Sequence, residues 1–203
     1  MLSINKNFLF IHIPKTGGNS VQKALFPYSE DRMVLLNQFH DGVERFEVRS
    51  DLVDINKHSA LGEYRDQLDA AQFAKLFKFT CVRNPWERCV SFFFSPHRGT
   101  VEYSPEAFER FVLDMVKPSQ AFLQLTPGDD PFDNVDAVIR FENLAEDFRN
   151  VCAKIGIAPP ALGQLNRSTR KDHREYYHDS KMIDVVAKKF DNEISRFGYR
   201  FDP

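Results

Sequence analysis

Short runs of consecutive apolar residues alternate along the chain with stretches whose apolar residues recur at helical spacing. Three of these runs, residues 8–13, 78–83 and 135–140, predict strands that are buried on both faces. Strands that alternate with helices predict an α/β fold with a mainly parallel sheet. Because such sheets bind ligands beyond the carboxyl ends of their strands, the segments after Ile13 and Arg83 are the places to look for a site.

Capping residues predict where helices begin and end between these strands. The predicted helices are residues 20–26 capped by Asn19 or Ser20, residues 68–77, residues 86–94, a helix starting at Ser104-Pro105, one from Asn143 to Gly156, and one from Asp179 to Gly198. Residues 30–66 have mixed charge and weak periodicity and predict no clear element. Without a repeat or a long linker, the chain is predicted to form a single domain over residues 1–203.

The composition is typical of an ordinary soluble globular protein. Apolar residues make up 42% of the 203 residues, and charged residues make up 28%. The net charge of −2 argues against non-specific coating of nucleic acid but leaves room for a local basic site. The chain shows neither a membrane-spanning run nor a secretory signal, and its three cysteines lack metal or redox spacing. These features predict a cytoplasmic location.

A glycine-containing turn, Pro14-Lys-Thr-Gly-Gly-Asn-Ser20, follows the first predicted strand. Its backbone amides and the next helix N-terminus can cradle an anion. Gly17 and Gly18 are expected to allow positive φ angles and close approach of a ligand. Lys15 precedes the glycines, so the turn is not the nucleoside-triphosphatase loop, whose lysine follows them. An ordinary strand–turn–helix connection is the alternative interpretation.

Arg83 ends the second predicted strand, a position where a guanidinium needs an anionic partner. Ser91 lies on the helix that follows, so the two side chains can converge on one anion. The alternative is that Arg83 pairs with Glu87 or with another carboxylate. Arg88, on the same helix, is predicted to be structural, either paired or solvated.

Taken together, the segments Pro14–Ser20 and Val82–Ser91 resemble the sulfotransferases that use 3′-phosphoadenosine 5′-phosphosulfate (PAPS), and specifically their carbohydrate, family 2-like branch. The resemblance extends over nearly the whole chain and is weakest at residues 27–66. It implies a three-layer α/β domain around a central parallel sheet, a P-loop-like fold related to that of nucleotide kinases. It also implies a carbohydrate or other hydroxyl acceptor and a reaction that requires no metal, while the charge balance predicts no nucleic-acid partner.

The resemblance assigns roles to residues of both segments. It places the 5′-phosphosulfate of PAPS on the first segment, at Lys15, Thr16, Gly17, Gly18, Asn19 and Ser20. It places the 3′-phosphate on Arg83 and Ser91. Arg170, in the cation-rich segment 166–174, is expected to contribute at the 3′-phosphate end, although a solvated basic loop is the alternative.

Sulfuryl transfer to a hydroxyl requires stabilisation of charge on the departing nucleotide and a base for the hydroxyl proton. Lys15 can supply the positive charge. His58 is the expected base, because similar family members carry a histidine at a comparable place, and Glu63 is the second candidate. An exposed or capping role is the alternative for His58. Two other functions stay open, a small-molecule kinase and a non-catalytic protein that binds nucleotides or anionic glycans.

Overall fold

The structure is a computed structural model that describes residues 1–36, 41, 43–163 and 171–202. The strands in these residues are β1 (Leu2–Ser3), β2 (Phe8–Ile11), β3 (Arg32–Leu35), β4 (Phe46–Arg49), β5 (Phe77–Val82) and β6 (Ala137–Arg140). The helices are α1 (Gly18–Leu25), α2 (Leu61–Arg65), α3 (Ala70–Lys75), α4 (Pro85–Phe93), α5 (Pro105–Met115), α6 (Gln120–Leu123), α7 (Leu144–Lys154), α8 (Ser180–Lys189) and α9 (Asp191–Phe197). Short 3-10 turns cover residues 26–28, 96–98, 131–134, 141–143 and 173–176.

A four-stranded sheet in the order β1-β2-β5-β6 forms the centre of the fold. Strand β2 is parallel to β5, and β5 is parallel to β6, while the short edge strand β1 is antiparallel to β2. Every residue of β2 is buried, as its uninterrupted apolar run predicts. The prediction of an α/β fold with a central, mainly parallel sheet is therefore confirmed.

The segment for which the sequence predicted no element contains a second, two-stranded sheet. Strands β3 and β4 pair antiparallel, with Arg32 opposite Arg49 and Leu35 opposite Phe46. Strand β4 buries Phe46 and Val48, whereas β3 exposes most of its residues. Three adjacent residues of β3, Met33, Val34 and Leu35, are apolar although the strand is mostly exposed, so its sequence shows no alternation of apolar and polar residues that would have revealed it.

Several predicted helix boundaries were wrong. Helix α1 begins at Gly18 with Gly17 at the cap position in the left-handed conformation, so neither Asn19 nor Ser20 is the cap. Helix α3 begins at Ala70, because the Asp69 carboxylate accepts from the amides of residues 71 and 72. The helix predicted from Asp179 to Gly198 is instead the pair α8 and α9, which breaks at Phe190, where φ is −116° and ψ is 27°.

The core lies on both sides of the central sheet and is rich in aromatic rings. Phe79 of β5 lies between Phe8 and Phe10 of β2, with ring centroids 6.0 and 5.2 Å away. Helix α4 begins at Pro85, one residue before the predicted start, and the Asn84 carboxamide oxygen accepts from the amides of Trp86 and Glu87. Across the residues that the structure describes, no helix is long and apolar enough to cross a membrane.

Candidate active site

A cavity of about 1120 Å³ opens at the carboxyl ends of β2 and β5, where the two predicted segments meet. Its described lining carries more cations than anions, although the whole chain has a net charge of −2. The lining cations are Lys15, Arg45, Lys57, Arg83, Arg98 and Lys171, and the lining carboxylates are Glu47, Glu87 and Asp172. An excess of positive charge in a concave site favours the binding of a polyanionic ligand.

The turn after β2 has an unusual backbone. Lys15 has a φ of 69°, and Gly17 has a φ of 88°. The left-handed region costs a residue with a side chain about 1–2 kcal/mol, so the surrounding contacts must impose this conformation on Lys15. The Lys15 ammonium donates to the Ser95 hydroxyl over 3.3 Å and lines the cavity beside the N-terminus of α1.

The two glycines of the turn are required for different reasons. Gly17 has a positive φ, and a Cβ on it would lie 3.0 Å from the Phe141 ring. Gly18 does not have a positive φ, but a Cβ on it would lie 2.1 Å from Cδ2 of His12. The expected positive φ is therefore wrong for Gly18, which instead needs the absence of a side chain because the His12 ring lies against it.

Arginines of the second segment fix the carbonyl groups of the first. Arg88 is fully buried and donates from Nε to the Pro14 carbonyl oxygen over 3.0 Å. Arg83 donates from Nη1 to the Lys15 carbonyl oxygen over 3.3 Å. Within the same turn, the Thr16 hydroxyl donates to the Ile13 carbonyl oxygen over 2.8 Å. These bonds join the two segments into one unit, and Arg88 has the structural role that its position on the helix suggested.

Arg83 reaches the cavity wall, where it forms the predicted pair with Glu87 and also contacts Ser91. Its Nη1 donates to the Ser91 hydroxyl over 3.3 Å, and its Nη2 pairs with Glu87 over 2.5 Å. The guanidinium lies 3.8 Å from the centre of the Phe141 ring. Its Nε is buried without a hydrogen-bond partner among the residues described. The pair Arg83 and Ser91 is thus assembled as one polar surface that faces the cavity.

His58 lies in the cavity wall with its proton positions defined. Its Nδ1 lies 3.0 Å from the carbonyl oxygen of His12. Because a carbonyl can only accept, Nδ1 must carry the hydrogen, and Nε2 of the neutral ring holds the lone pair. Burial lowers the pKa of His58 from 6.5, and the nearby Lys57 adds to this shift. The ring is therefore neutral at pH 7 and can accept a proton at Nε2.

The structure brings most of the other predicted residues to the cavity. Gly17, Gly18, Asn19 and Ser20 line it, and the Ser20 hydroxyl donates to the Gly163 carbonyl oxygen over 2.8 Å. The buried Thr16 side chain is not part of the lining, so any ligand contact from this residue must come from its backbone.

Besides Thr16, two predicted residues are not placed in the cavity. Glu63 is absent from the described lining, and its carboxylate accepts from the Ser59 hydroxyl and the Ala60 amide at the start of α2. These contacts give Glu63 a capping role. Arg170 lies outside the described residues.

Sequence reasoning missed four cationic or titratable lining residues, Arg45, Lys57, His97 and Arg98. Lys57 donates to the Phe46 carbonyl oxygen over 3.0 Å, and burial lowers its pKa to about 8. Burial and the nearby Lys15 lower the pKa of His97 to about 4. Of these four residues, only Lys57 could have been suspected from the sequence, because it is adjacent to His58. The other three reach the cavity only through the fold.

A family model described as "Sulfotransferase family" matches residues 1–200, nearly the whole length of the chain. The chain belongs to the sulfotransferase family. This sulfotransferase has no significant match among curated proteins or solved structures. Family membership supports a sulfotransferase activity, with a nucleotide sulfate donor and a hydroxyl acceptor, and agrees with the arrangement of the cavity around the two segments.

Proposed function

We propose that the protein transfers a sulfuryl group from PAPS to a hydroxyl of a carbohydrate or glycoconjugate. The observation that carries this proposal is the single cavity in which Lys15, the Arg83–Ser91 pair and the neutral His58 all meet. An in-line transfer needs these three functions on one ligand: stabilisation of the departing group, an anchor for the nucleotide and a base.

The described residues fit PAPS in size and in charge. A volume of about 1120 Å³ is ample for a nucleotide together with part of an acceptor. The N-terminus of α1 and Lys15 suit the 5′-phosphosulfate, because amides and an ammonium favour anions there. Arg83 and Ser91, which both line the cavity, offer a guanidinium charge and a hydroxyl for the 3′-phosphate. Arg170 remains a predicted contributor.

Bound PAPS supplies the sulfuryl group, and the protein supplies positions and protons. Lys15 holds a positive charge at the departing phosphate, where negative charge grows as the bond to sulfur breaks. His58 takes the proton of the acceptor hydroxyl at Nε2. The resulting imidazolium keeps its Nδ1–H bond to the carbonyl oxygen of His12, which stabilises the charged ring.

The acceptor is assigned to the side of the cavity formed by the two-stranded sheet and the 96–98 turn. Leu36, Phe46, Lys57 and His97 line this side next to His58. An aromatic ring surrounded by polar groups suits a sugar, whose faces are apolar and whose hydroxyls form hydrogen bonds. The carbohydrate class itself rests on the sequence resemblance, and the cytoplasmic location is proposed from the sequence pattern and the cysteine spacing.

The decisive experiment is transfer of labelled sulfate from PAPS to a panel of saccharide and phenol acceptors. Parallel reactions with ATP and magnesium test the kinase alternative, and reactions with Lys15→Met test whether turnover depends on this cavity. We expect a labelled saccharide from PAPS, no phosphorylated product from ATP, and strongly reduced transfer by the variant. Binding of PAPS without transfer to any acceptor would favour the non-catalytic alternative.

A further inference from the structure

His12 lies between the proposed base, His58, and the turn of residues 14–20 that is proposed to bind the sulfate donor. This turn is called the donor turn. It follows the last residue of β2, is 3% exposed, and lines the cavity. Its Nδ1 is buried and has no hydrogen-bond partner among the described residues. Buried polar atoms normally have partners, so the position of this ring is determined by what it packs against rather than by a hydrogen bond at Nδ1.

On one side the His12 ring packs directly against the backbone of Gly18. A Cβ at position 18 would lie 2.1 Å from Cδ2, 2.5 Å from Nε2 and 2.8 Å from Cγ of His12. Cγ is attached to the Cβ of the side chain, so a rotation of the ring edge alone does not relieve this overlap. The absence of a side chain at Gly18 therefore allows the ring to lie against the first turn of α1.

The same residue also contacts His58, through both its ring and its backbone. The two imidazole rings have centroids 4.5 Å apart with planes at 51°. The carbonyl oxygen of His12 accepts from Nδ1 of His58 over 3.0 Å. A displacement of His12 from Gly18 therefore changes its contacts with His58, because Phe10 also stacks on the ring at 6.0 Å and restricts the remaining space.

We propose that His12 is a positioning residue whose ring, held between Gly18 and His58, sets the distance between the donor turn and the base. This inference rests on the proposed function, because it assigns Gly18 to the donor site and His58 to the acceptor proton. The contacts themselves are independent of that function. The effect on the reaction is geometric: a misplacement of reacting groups by about 1 Å can cost about 10²-fold in rate.

The charge state of His12 supports this role. Burial lowers the pKa of His12 well below its usual value, and His58 and Lys57 add to the shift. The other groups that act on it are the Gln22 side chain of α1 and the amino group of Met1. A neutral ring adds no positive charge next to His58, which must itself become positive when it takes the hydroxyl proton.

The test is a double-variant cycle at the two contacting positions. Gly18→Ala pushes a methyl group into the His12 ring, and His12→Ala removes that ring. The matched control is Gly62→Ala in α2, where the nearest atom to a new Cβ is 4.0 Å away. For each variant and for the double variant, kcat is measured with saturating PAPS, and the His58 ring is titrated by NMR without any substrate.

We expect Gly18→Ala to lower kcat by roughly 10²-fold and to change the His58 titration, while Gly62→Ala changes neither. In the double variant, removal of the His12 ring relieves the clash, so part of the lost kcat is recovered. The kcat of the double variant should therefore exceed that of Gly18→Ala. Losses that simply multiply, or an unchanged His58 titration in Gly18→Ala, would overturn the proposal. The NMR result is obtained even if no sulfuryl transfer occurs, so it separates a failure of this inference from a failure of the proposed function.

A second variant covers the case in which the double variant does not fold. His12→Phe keeps a flat ring and removes the unpartnered Nδ1, so it should fold, and it should leave the NMR pKa of His58 close to that of the native protein. His12→Ala opens a space beside His58, admits water and raises that pKa toward 6.5. Equal pKa values of His58 in the two variants would show that the ring does not position the base.

Discussion

The buried Arg88 guanidinium donates from Nε to the carbonyl oxygen of Pro14 over 3.0 Å, and this hydrogen bond fixes the start of the donor turn. Its Nη2 donates to the Lys117 carbonyl oxygen over 2.9 Å, and its Nη1 lies 3.8 Å from Glu193 of α9. One side chain thereby connects the turn after β2 to the C-terminal helices. The proposed donor site depends on an arginine that does not line the cavity.

Arg88→Met should lower the free energy of unfolding by about 3–5 kcal/mol, because removing one partner leaves the buried Glu193 carboxylate uncompensated. Urea unfolding of the purified variant measures this loss. The control is the double variant with Glu193→Gln, in which the uncompensated charge is also removed. The double variant should be more stable than Arg88→Met alone. If both lose the same free energy, the ion pair is not the source of the effect.

Lys15→Met should lower kcat by roughly 10²–10³-fold, as the loss of one preorganised charge at a transition state does. Methionine is unbranched and one atom shorter than lysine, so we expect the backbone conformation of the turn to be retained. Donor affinity should fall less than kcat, because the charge at the departing group grows only during the reaction. Steady-state kinetics at saturating PAPS measures both quantities. A variant with native kcat would remove Lys15 from the proposed mechanism.

Lys15→Arg is the matched variant that keeps the charge at this position. It should retain more turnover than Lys15→Met, although the broader guanidinium cannot place its charge where the ammonium lies. Equal losses in the two variants would indicate that shape, rather than charge, determines the effect.

Local sequence patterns were enough to predict the parallel strands of the central sheet and part of the cavity lining. Continuous apolar runs located β2, β5 and β6, because strands buried on both faces have no polar alternation. The positions of Arg83 after β5 and of Ser91 on α4 indicated that their side chains converge, and their hydrogen bond of 3.3 Å agrees with this prediction. These features are local in the chain, so the pattern of neighbouring residues is enough to predict them.

The remaining features depend on contacts between distant residues. Gly18 is required by a ring six positions earlier that the turn folds back upon, and no local pattern shows this contact. The capping role of Glu63 depends on helix α2 starting at Leu61, one turn after His58, in a segment without periodicity. His97 and Arg45 reach the cavity through the second sheet and a short turn, neither of which the sequence predicted.

The proposed base predicts a shift in the pH dependence of the reaction. His58 accepts a proton only when neutral, so kcat/KM should fall as the pH decreases through its folded-state pKa. Burial lowers that pKa below the ordinary 6.5, so the acidic limb should lie below pH 6.5. Rates measured from pH 4.5 to 8 locate this limb. A limb above pH 6.5 would indicate a different base, or a His58 that is not buried in the active protein.

His58→Ala should lower kcat by roughly 10²–10⁴-fold with little change in donor binding, as is typical for the loss of a general base. Glu63→Gln is the matched control, because its carboxylate caps α2 and is absent from the described lining of the cavity. The control should keep native turnover, since glutamine can still accept from the Ala60 amide. Turnover that is lost in Glu63→Gln and kept in His58→Ala would reverse the two assignments.

Donor selectivity should depend on Arg83 and Ser91. The native protein should bind adenosine 3′,5′-bisphosphate more tightly than adenosine 5′-monophosphate, because the pair contacts the additional phosphate. A charge-assisted hydrogen bond contributes about 1.5–3 kcal/mol, which corresponds to roughly 10- to 150-fold in affinity. Arg83→Ala should bind the two nucleotides about equally. Isothermal titration calorimetry with both ligands measures this preference without requiring an acceptor.

Two further variants separate recognition of the 3′-phosphate from a general loosening of the site. Arg83 also donates to the carbonyl oxygen of Lys15, so Arg83→Ala can disturb the donor turn itself. Ser91→Ala removes one contact of the pair without touching that turn, and should reduce the preference for the bisphosphate by a smaller factor. Lys15→Met should weaken the binding of both nucleotides by similar factors and keep the preference for the bisphosphate. If Arg83→Ala retains the full preference, its ion pair with Glu87 is the main role of this arginine, and the 3′-phosphate binds elsewhere.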